Sequence, residues 1–120
     1  MSLVMLIDDD TDMLKLTERW IMKAGHDTLC ASSGAQALDM LKATRPDIII
    51  LDYAMPEMDG PEVYRAIKAD TETKDIPVIF RTGKEDEESE SILSELSPEG
   101  VVSKSEGKPG LIGILNDVIK

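Results

Sequence analysis

Short apolar runs alternate along the chain with segments whose apolar residues recur every three or four positions. Residues 3–7, Leu3-Val4-Met5-Leu6-Ile7, form an unbroken apolar run, as expected of a strand buried on both faces. The run stops at Asp8-Asp9-Asp10. Beyond it Met13, Leu16, Trp20 and Ile21 recur at helical spacing, and Gly25 marks the helix end. Residues 28–31 give a weaker second strand. Ser32 or Ser33 caps a second helix, in which Ala35, Leu38 and Leu41 share a face. Pro46 closes that connection, and residues 47–52 read as the most buried strand because Ile48 to Leu51 has no polar interruption. A loop with Pro56 and Asp59-Gly60 leads into a helix that takes Pro61 in its first turn and turns Val63, Ala66 and Ile67 inward.

Residues 76–81 predict a fourth strand. Residues 85–96 offer only Ile92, Leu93 and Leu96 as an apolar stripe among many carboxylates, a weak helix with a solvated face. Residues 100–103 predict a short fifth strand, and Leu111, Leu115, Val118 and Ile119 mark a final helix. Strands alternating with helices predict an α/β fold with a parallel sheet covered on both sides.

A length of 120 residues suits one domain, and 42% hydrophobic with 31% charged residues suits a globular one. The chain stops at the end of its last helix, as expected of a whole protein or of a unit, residues 1–120, cut from a longer one. Asp and Glu outnumber Lys and Arg 24 to 13, for a net charge of −11. Such a surface repels a phosphate backbone, so direct nucleic-acid binding is not expected; it suits a cation or a basic partner surface. Cys30 is the one cysteine, so no internal disulfide forms, and its apolar surroundings suggest an inert structural thiol. No apolar run approaches the roughly 20 residues needed to span a bilayer, and a cytoplasmic location is expected.

Candidate chemistry follows from where the strands end. In open parallel sheets, sites form beyond the carboxyl ends of the strands. Those ends hold Asp8 and Asp9, Asp52, Thr82 followed by Gly83, and Lys104. Two like charges about 4 Å apart repel by about 4 kcal/mol at an effective dielectric near 20, and a divalent cation would relieve this. Oxygen donors without His or Cys favour Mg2+ or Mn2+ over zinc. A carboxylate can act as a nucleophile toward phosphorus, while a metal and an ammonium neutralise the transferring group.

These residues, in this order, resemble the response-regulator receiver family over nearly the whole chain. The most specific segment is Leu51-Asp52-Tyr53-Ala54-Met55-Pro56-Glu57-Met58-Asp59-Gly60, similar to the LDxxMPxMDG signature. Leu3 to Asp10 is similar to the family's apolar strand with an acidic pair, Pro77 to Gly83 to the segment ending in a switch hydroxyl, and Val101 to Lys104 to the strand ending in a lysine. The resemblance implies a doubly wound, flavodoxin-like fold of five parallel strands in order 2-1-3-4-5 with five helices. It implies that Asp52 becomes a 4-aspartylphosphate in a two-component phosphorelay, and that Asp9, Asp52 and the Ala54 backbone carbonyl bind Mg2+, with Asp8 helping through water. Lys104 would pair with the phosphoryl group and Thr82 would move toward it. The implied partners are a sensor histidine kinase or phosphotransfer protein upstream, and an effector protein or fused output domain downstream. The output face is the one built from helix four, strand five and helix five, and homodimerisation through it on phosphorylation is left open. Ala54 and Lys84 lie where the family tunes phosphate lifetime.

Two positions depart from the pattern. Ser105 follows Lys104 where many members have Pro in a cis bond, and a cis bond before a non-proline residue costs about 2.5–4 kcal/mol. Val101 stands where many members carry an aromatic residue that rotates with the switch hydroxyl. Both make a phosphorylation-independent binding module the main alternative. An aspartyl phosphatase is less favoured, because the chain lacks a DxDxT pattern and a cap domain. Asp8, Asp10 and Asp12 imitate the start of an EF-hand, but Met13 and Arg19 stand where that loop requires Gly and Glu. His26 reads as a surface residue, Trp20 and the methionines as core, and Tyr53 as a neighbour of the site without assigned chemistry.

Overall fold

The computed structural model describes residues 2–83 and 86–119. Among these, five strands form one parallel sheet: β1 (Leu3–Ile7), β2 (Asp27–Ala31), β3 (Ile48–Asp52), β4 (Val78–Thr82) and β5 (Gly100–Ser103), in the order β2-β1-β3-β4-β5. Five α-helices cover it: α1 (Thr11–Lys23), α2 (Gly34–Leu41), α3 (Gly60–Ala69), α4 (Glu87–Leu96) and α5 (Gly107–Ile119). The fold is therefore the doubly wound one expected.

Strand alternation divides the core into two layers. Met5, Ile7, Ile49, Leu51, Val78 and Phe80 face α2, α3 and α4, where they meet Ala37, Val63, Tyr64, Ile67 and Leu93. Val4, Leu6, Ile48, Ile50, Ile79 and Val102 face the other way, onto Leu14 and Ile21 of α1 and Leu111 and Leu115 of α5. β3 and β4 are buried along their whole length, which explains the unbroken apolar runs Ile48 to Leu51 and Val78 to Phe80.

Local chemistry fixes the element boundaries. Asp10 caps α1, its carboxylate accepting from the Asp12 and Met13 amides at 3.1 Å each. Ser33 caps α2 by accepting from the Gln36 amide. Asp59 and Glu62 form a reciprocal capping box at α3, with Pro61 in the first turn. Gly25 has φ +97°, a left-handed conformation that favours glycine just past α1. β4 starts at Val78 rather than at residue 76. Pro77 has no N–H to give the ladder, and the Ile76 amide is spent on a turn to the Thr73 carbonyl. The helix expected over residues 85–96 is seen from Glu87; Lys84 and Glu85 lie outside the described residues.

Three helix faces differ from the expected ones. In α1 the inward residues are Leu14, Thr17 and Ile21, and Leu16 is 39% exposed. A threonine occupies the central inward position because its hydroxyl is satisfied there, donating to the Met13 carbonyl at 2.8 Å. In α2 Ala37 is buried and Ala35 exposed, with Leu38 and Leu41 packed against the core edge. Ala66 of α3 is half-buried, and Tyr64 takes a fully inward place beside Val63 and Ile67.

Cys30 is half-buried rather than buried, and it donates to Glu18 Oε2 at 3.2 Å. Burial first, then the hydrogen bond and charge of Glu18, push its thiol from 9.0 up to about 12. The thiolate is the reactive form, so near pH 8 its fraction in the fold is about a thousandth of that in the unfolded chain. Iodoacetamide should therefore label native Cys30 at least about 100-fold more slowly than the urea-unfolded protein, and Glu18→Gln should speed native labelling. Equal native and unfolded rates would show that Glu18 exerts no such control.

Candidate functional site

The carboxyl ends of β1, β3, β4 and β5 meet at one rim, and each brings one of the expected groups. Asp8 follows the last residue of β1, Asp52 ends β3, Thr82 ends β4, and Lys104 follows the last residue of β5. Register holds them together: Leu6 pairs with Ile50 and Ile50 with Ile79, so Asp8, Asp52 and Arg81 leave the sheet on the same side.

Asp52 is buried, and its Oδ1 lies 3.1 Å from Lys104 Nζ. Asp8 is also buried, whereas Asp9 is exposed. One carboxylate oxygen from each of Asp8, Asp9 and Asp52 lies within 4.8 Å of the others, so three hard oxygen donors converge without a nitrogen or sulfur ligand. This donor set fits a hard divalent cation such as Mg2+. Asp8 also accepts from the Asp10 amide at 3.0 Å, which holds its carboxylate in place. Burial pushes the Asp52 carboxyl from 3.8 up to about 7; the Asp8 charge adds to this and Lys104 opposes it.

The approach to the rim is shaped by glycine. A Cβ on Gly60 would lie 2.6 Å from the Asp52 carbonyl oxygen and 2.9 Å from Tyr53 Cα, so no side chain fits where α3 starts against the end of β3. The Gly60 amide donates to the Tyr53 carbonyl at 2.9 Å and closes the turn that presents Ala54. Thr82 is buried and pairs in register with Ser103. Among the described residues a Cβ on Gly83 would meet Lys104 Cδ alone, at an ordinary 3.7 Å.

After Lys104 the chain makes a 3-10 turn over Lys104–Glu106. Ser103 Oγ accepts from the Ser105 amide at 3.2 Å, and Glu106 Oε2 accepts from the Ser103 amide at 2.9 Å. There is no cis peptide bond among the described residues. Hydrogen bonds thus shape the loop after Lys104. Val101 is 43% exposed on β5. Tyr53 borders the rim with its ring tilted on Phe80, and His26 Nδ1 accepts from the Ser2 amide far from it.

Sequence reasoning gave no role to Arg81, placing it only at the end of the fourth strand. The structure buries it beside the acidic pair. Its Nη1 donates to Thr17 Oγ1 at 3.0 Å, and its guanidinium lies over the Trp20 ring, 5.8 Å from the centroid. Burial lowers its pKa, while the charges of Asp8 and Asp52 act to raise it. A charged residue inside an otherwise apolar strand was the available signal.

A family model described as response regulator receiver domain matches residues 4–116. The chain belongs to the response-regulator receiver family. The polar-differentiation response regulator DivK of Brucella anthropi is 33% identical over 109 residues, covering 91% of this chain and 89% of that protein. The chemotaxis protein CheY4 of Vibrio cholerae superposes with a TM-score of 0.90 at 25% identity, over 98% of both chains. The signal receiver domain of a histidine kinase from Syntrophus aciditrophicus gives a TM-score of 0.92 at 25% identity, over 99% of this chain and 90% of that one. Receiver domains are signalling domains of two-component systems rather than turnover enzymes. Membership implies kinase or phosphotransfer partners and output effectors. The family binds Mg2+ at an acidic pocket, and Asp8, Asp9 and Asp52 form an acidic cluster in this chain. No helix among the described residues is long and apolar enough to cross a membrane.

Proposed function

We propose that residues 1–120 act as one phosphorylatable receiver unit in which Asp52 is the phosphoacceptor. The observation that carries this reading is the Asp52 carboxylate itself: buried at a strand end, 3.1 Å from an ammonium, with two further carboxylates converging on it. A carboxylate oxygen of Asp52 attacks the phosphorus of a phosphohistidine on a sensor kinase or phosphotransfer protein. The P–N bond breaks, the imidazole keeps its electron pair and takes a proton, and an acyl phosphate remains on Asp52. Asp9, Asp52 and the Ala54 carbonyl would hold Mg2+ directly and Asp8 through water; bound there, the ion would neutralise charge on the phosphoryl oxygens. Lys104 would exchange its partner, from the Asp52 carboxylate to the phosphoryl group. Thr82 would turn toward that group and pass the change to the face of α4, β5 and α5, toward an effector, a fused output domain or a second copy of the chain. Intrinsic chemistry is limited to self-phosphorylation from small donors and loss of the phosphate. A cytoplasmic setting suits such partners.

The test is intact-protein mass after incubation with Mg2+ and acetyl phosphate or phosphoramidate. Wild type should gain one phosphoryl group, and Asp52→Asn none. No gain in folded wild type that binds Mg2+ would favour a phosphorylation-independent binding module. The exposed Val101, standing where an aromatic reporter is common, is the observation on that side.

A further inference from the structure

The acidic rim contains a cation that the phosphoryl chemistry leaves unused. Arg81 is opposite Asp52 in the β3–β4 register and projects with it toward α1, away from solvent. Asp8, Asp52, Arg81 and Thr17 border the same small void, which Leu6 and Leu14 also line. Lys104, by contrast, reaches Asp52 from the solvent side, with its side chain 30% exposed. A guanidinium keeps its charge in proteins, and burying it is favourable only where opposite charge and hydrogen-bond acceptors compensate. Thr17 supplies one acceptor and Trp20 a ring face, both neutral. The charged groups that share its void are Asp8 and Asp52.

We propose that Arg81 is a built-in counter-ion of the Asp8–Asp52 carboxylate pair, partly filling from the protein side the electrostatic role of the divalent cation and so setting how tightly this receiver domain holds Mg2+. The inference rests on the Mg2+ site proposed above. Carboxylate repulsion is what a divalent cation relieves on binding. A resident guanidinium has already relieved part of it and also repels the incoming cation, so both effects weaken Mg2+ binding. The competing account makes Arg81 a brace that ties β4 to α1 through Thr17 and Trp20, with no effect on the metal.

Charge and bracing separate by substitution. Arg81→Gln keeps a donor for Thr17 Oγ1 and removes the charge; Arg81→Met removes both; Arg81→Lys keeps the charge. Affinity for Mg2+ alone is measured by calorimetry, with emission of Trp20, the one tryptophan of the chain, as a second readout. Arg81→Gln and Arg81→Met should bind Mg2+ on the order of tenfold more tightly than wild type, and Arg81→Lys within about threefold of it. The rise in Tm on adding Mg2+ should be larger in the two neutral variants. Neutral variants that unfold without Mg2+, whether or not Mg2+ restores them, would make Arg81 a brace and overturn the proposal, because any ion bound by the folded state raises stability by mass action. Wild-type binding with unchanged affinity in Arg81→Gln sinks only the role of Arg81. No binding by wild type or any variant sinks the metal site, and the proposal with it.

Discussion

Asp52→Asn should stabilise the metal-free protein near pH 8 by about 2–4 kcal/mol, even as it removes the proposed phosphoacceptor. The fold holds the Asp52 carboxyl at about 7 against an ordinary 3.8, chiefly through burial and secondly through Asp8. A raised value means that the folded protein binds the proton more tightly than the unfolded chain. Its contribution to stability is fully present below about pH 4 and is lost as pH rises through about 7. Above that, wild type carries a buried carboxylate beside another carboxylate, whereas the asparagine variant carries a neutral group of the same shape whose oxygen can still accept from Lys104. Urea unfolding in a chelator should show the difference between the two proteins growing from near zero at about pH 4 to its full size near pH 8. Saturating Mg2+ should shrink or reverse it, because wild type gains binding energy that a variant lacking one ligand cannot match. A difference that ignores pH, or a less stable variant in the chelator near pH 8, would contradict this reading of the site.

The same balance explains which parts of the molecule could be read from the chain. β1 and β3 were legible because burial on two faces demands unbroken apolar runs, and the rim followed once the strand ends were known. Asp8, Asp9, Asp52, Thr82 and Lys104 are polar residues at those ends, so their position announced them. Arg81 was hidden by the same logic, since a charge at the edge of an apolar run reads as the point where a strand meets water. Its partner Thr17 was missed for a related reason. A stripe drawn through Met13, Leu16 and Trp20 assumes that apolar residues face the core, whereas the inward face of α1 holds a threonine that completes a hydrogen-bond chain from Arg81 to the Met13 carbonyl. Apolar periodicity locates helices, but their rotation is set by such polar pairs, which a single sequence does not pair up. The loop after Lys104 was legible only as a departure. What replaces proline there is a reciprocal set of bonds among Ser103, Ser105 and Glu106, visible only in three dimensions.

Phe80→Ala should cost about 3–5 kcal/mol, a large share of the roughly 5–15 kcal/mol that holds a domain of this size together. Phe80 is fully buried in β4, and the loss depends on whether its neighbours can close the space. They cannot do so cheaply. Tyr64 lies against the ring at 5.4 Å between centroids, but its hydroxyl donates to the Leu96 carbonyl at 3.0 Å, so moving inward would break that bond or drag the end of α4 with it. Tyr53, at 6.1 Å, is fixed at its backbone, where its amide donates to the Arg81 carbonyl at 3.0 Å and its carbonyl accepts from Gly60. The cavity therefore stays open, and its lining loses contacts without replacement. Phe80→Leu, which keeps most of the volume, should cost less than half as much. Urea unfolding with equal m-values in the three proteins would give the comparison. A loss below about 1 kcal/mol for the alanine variant would mean that Tyr64 collapses into the space, and the Leu96 bond would then not be holding α3 and α4 apart.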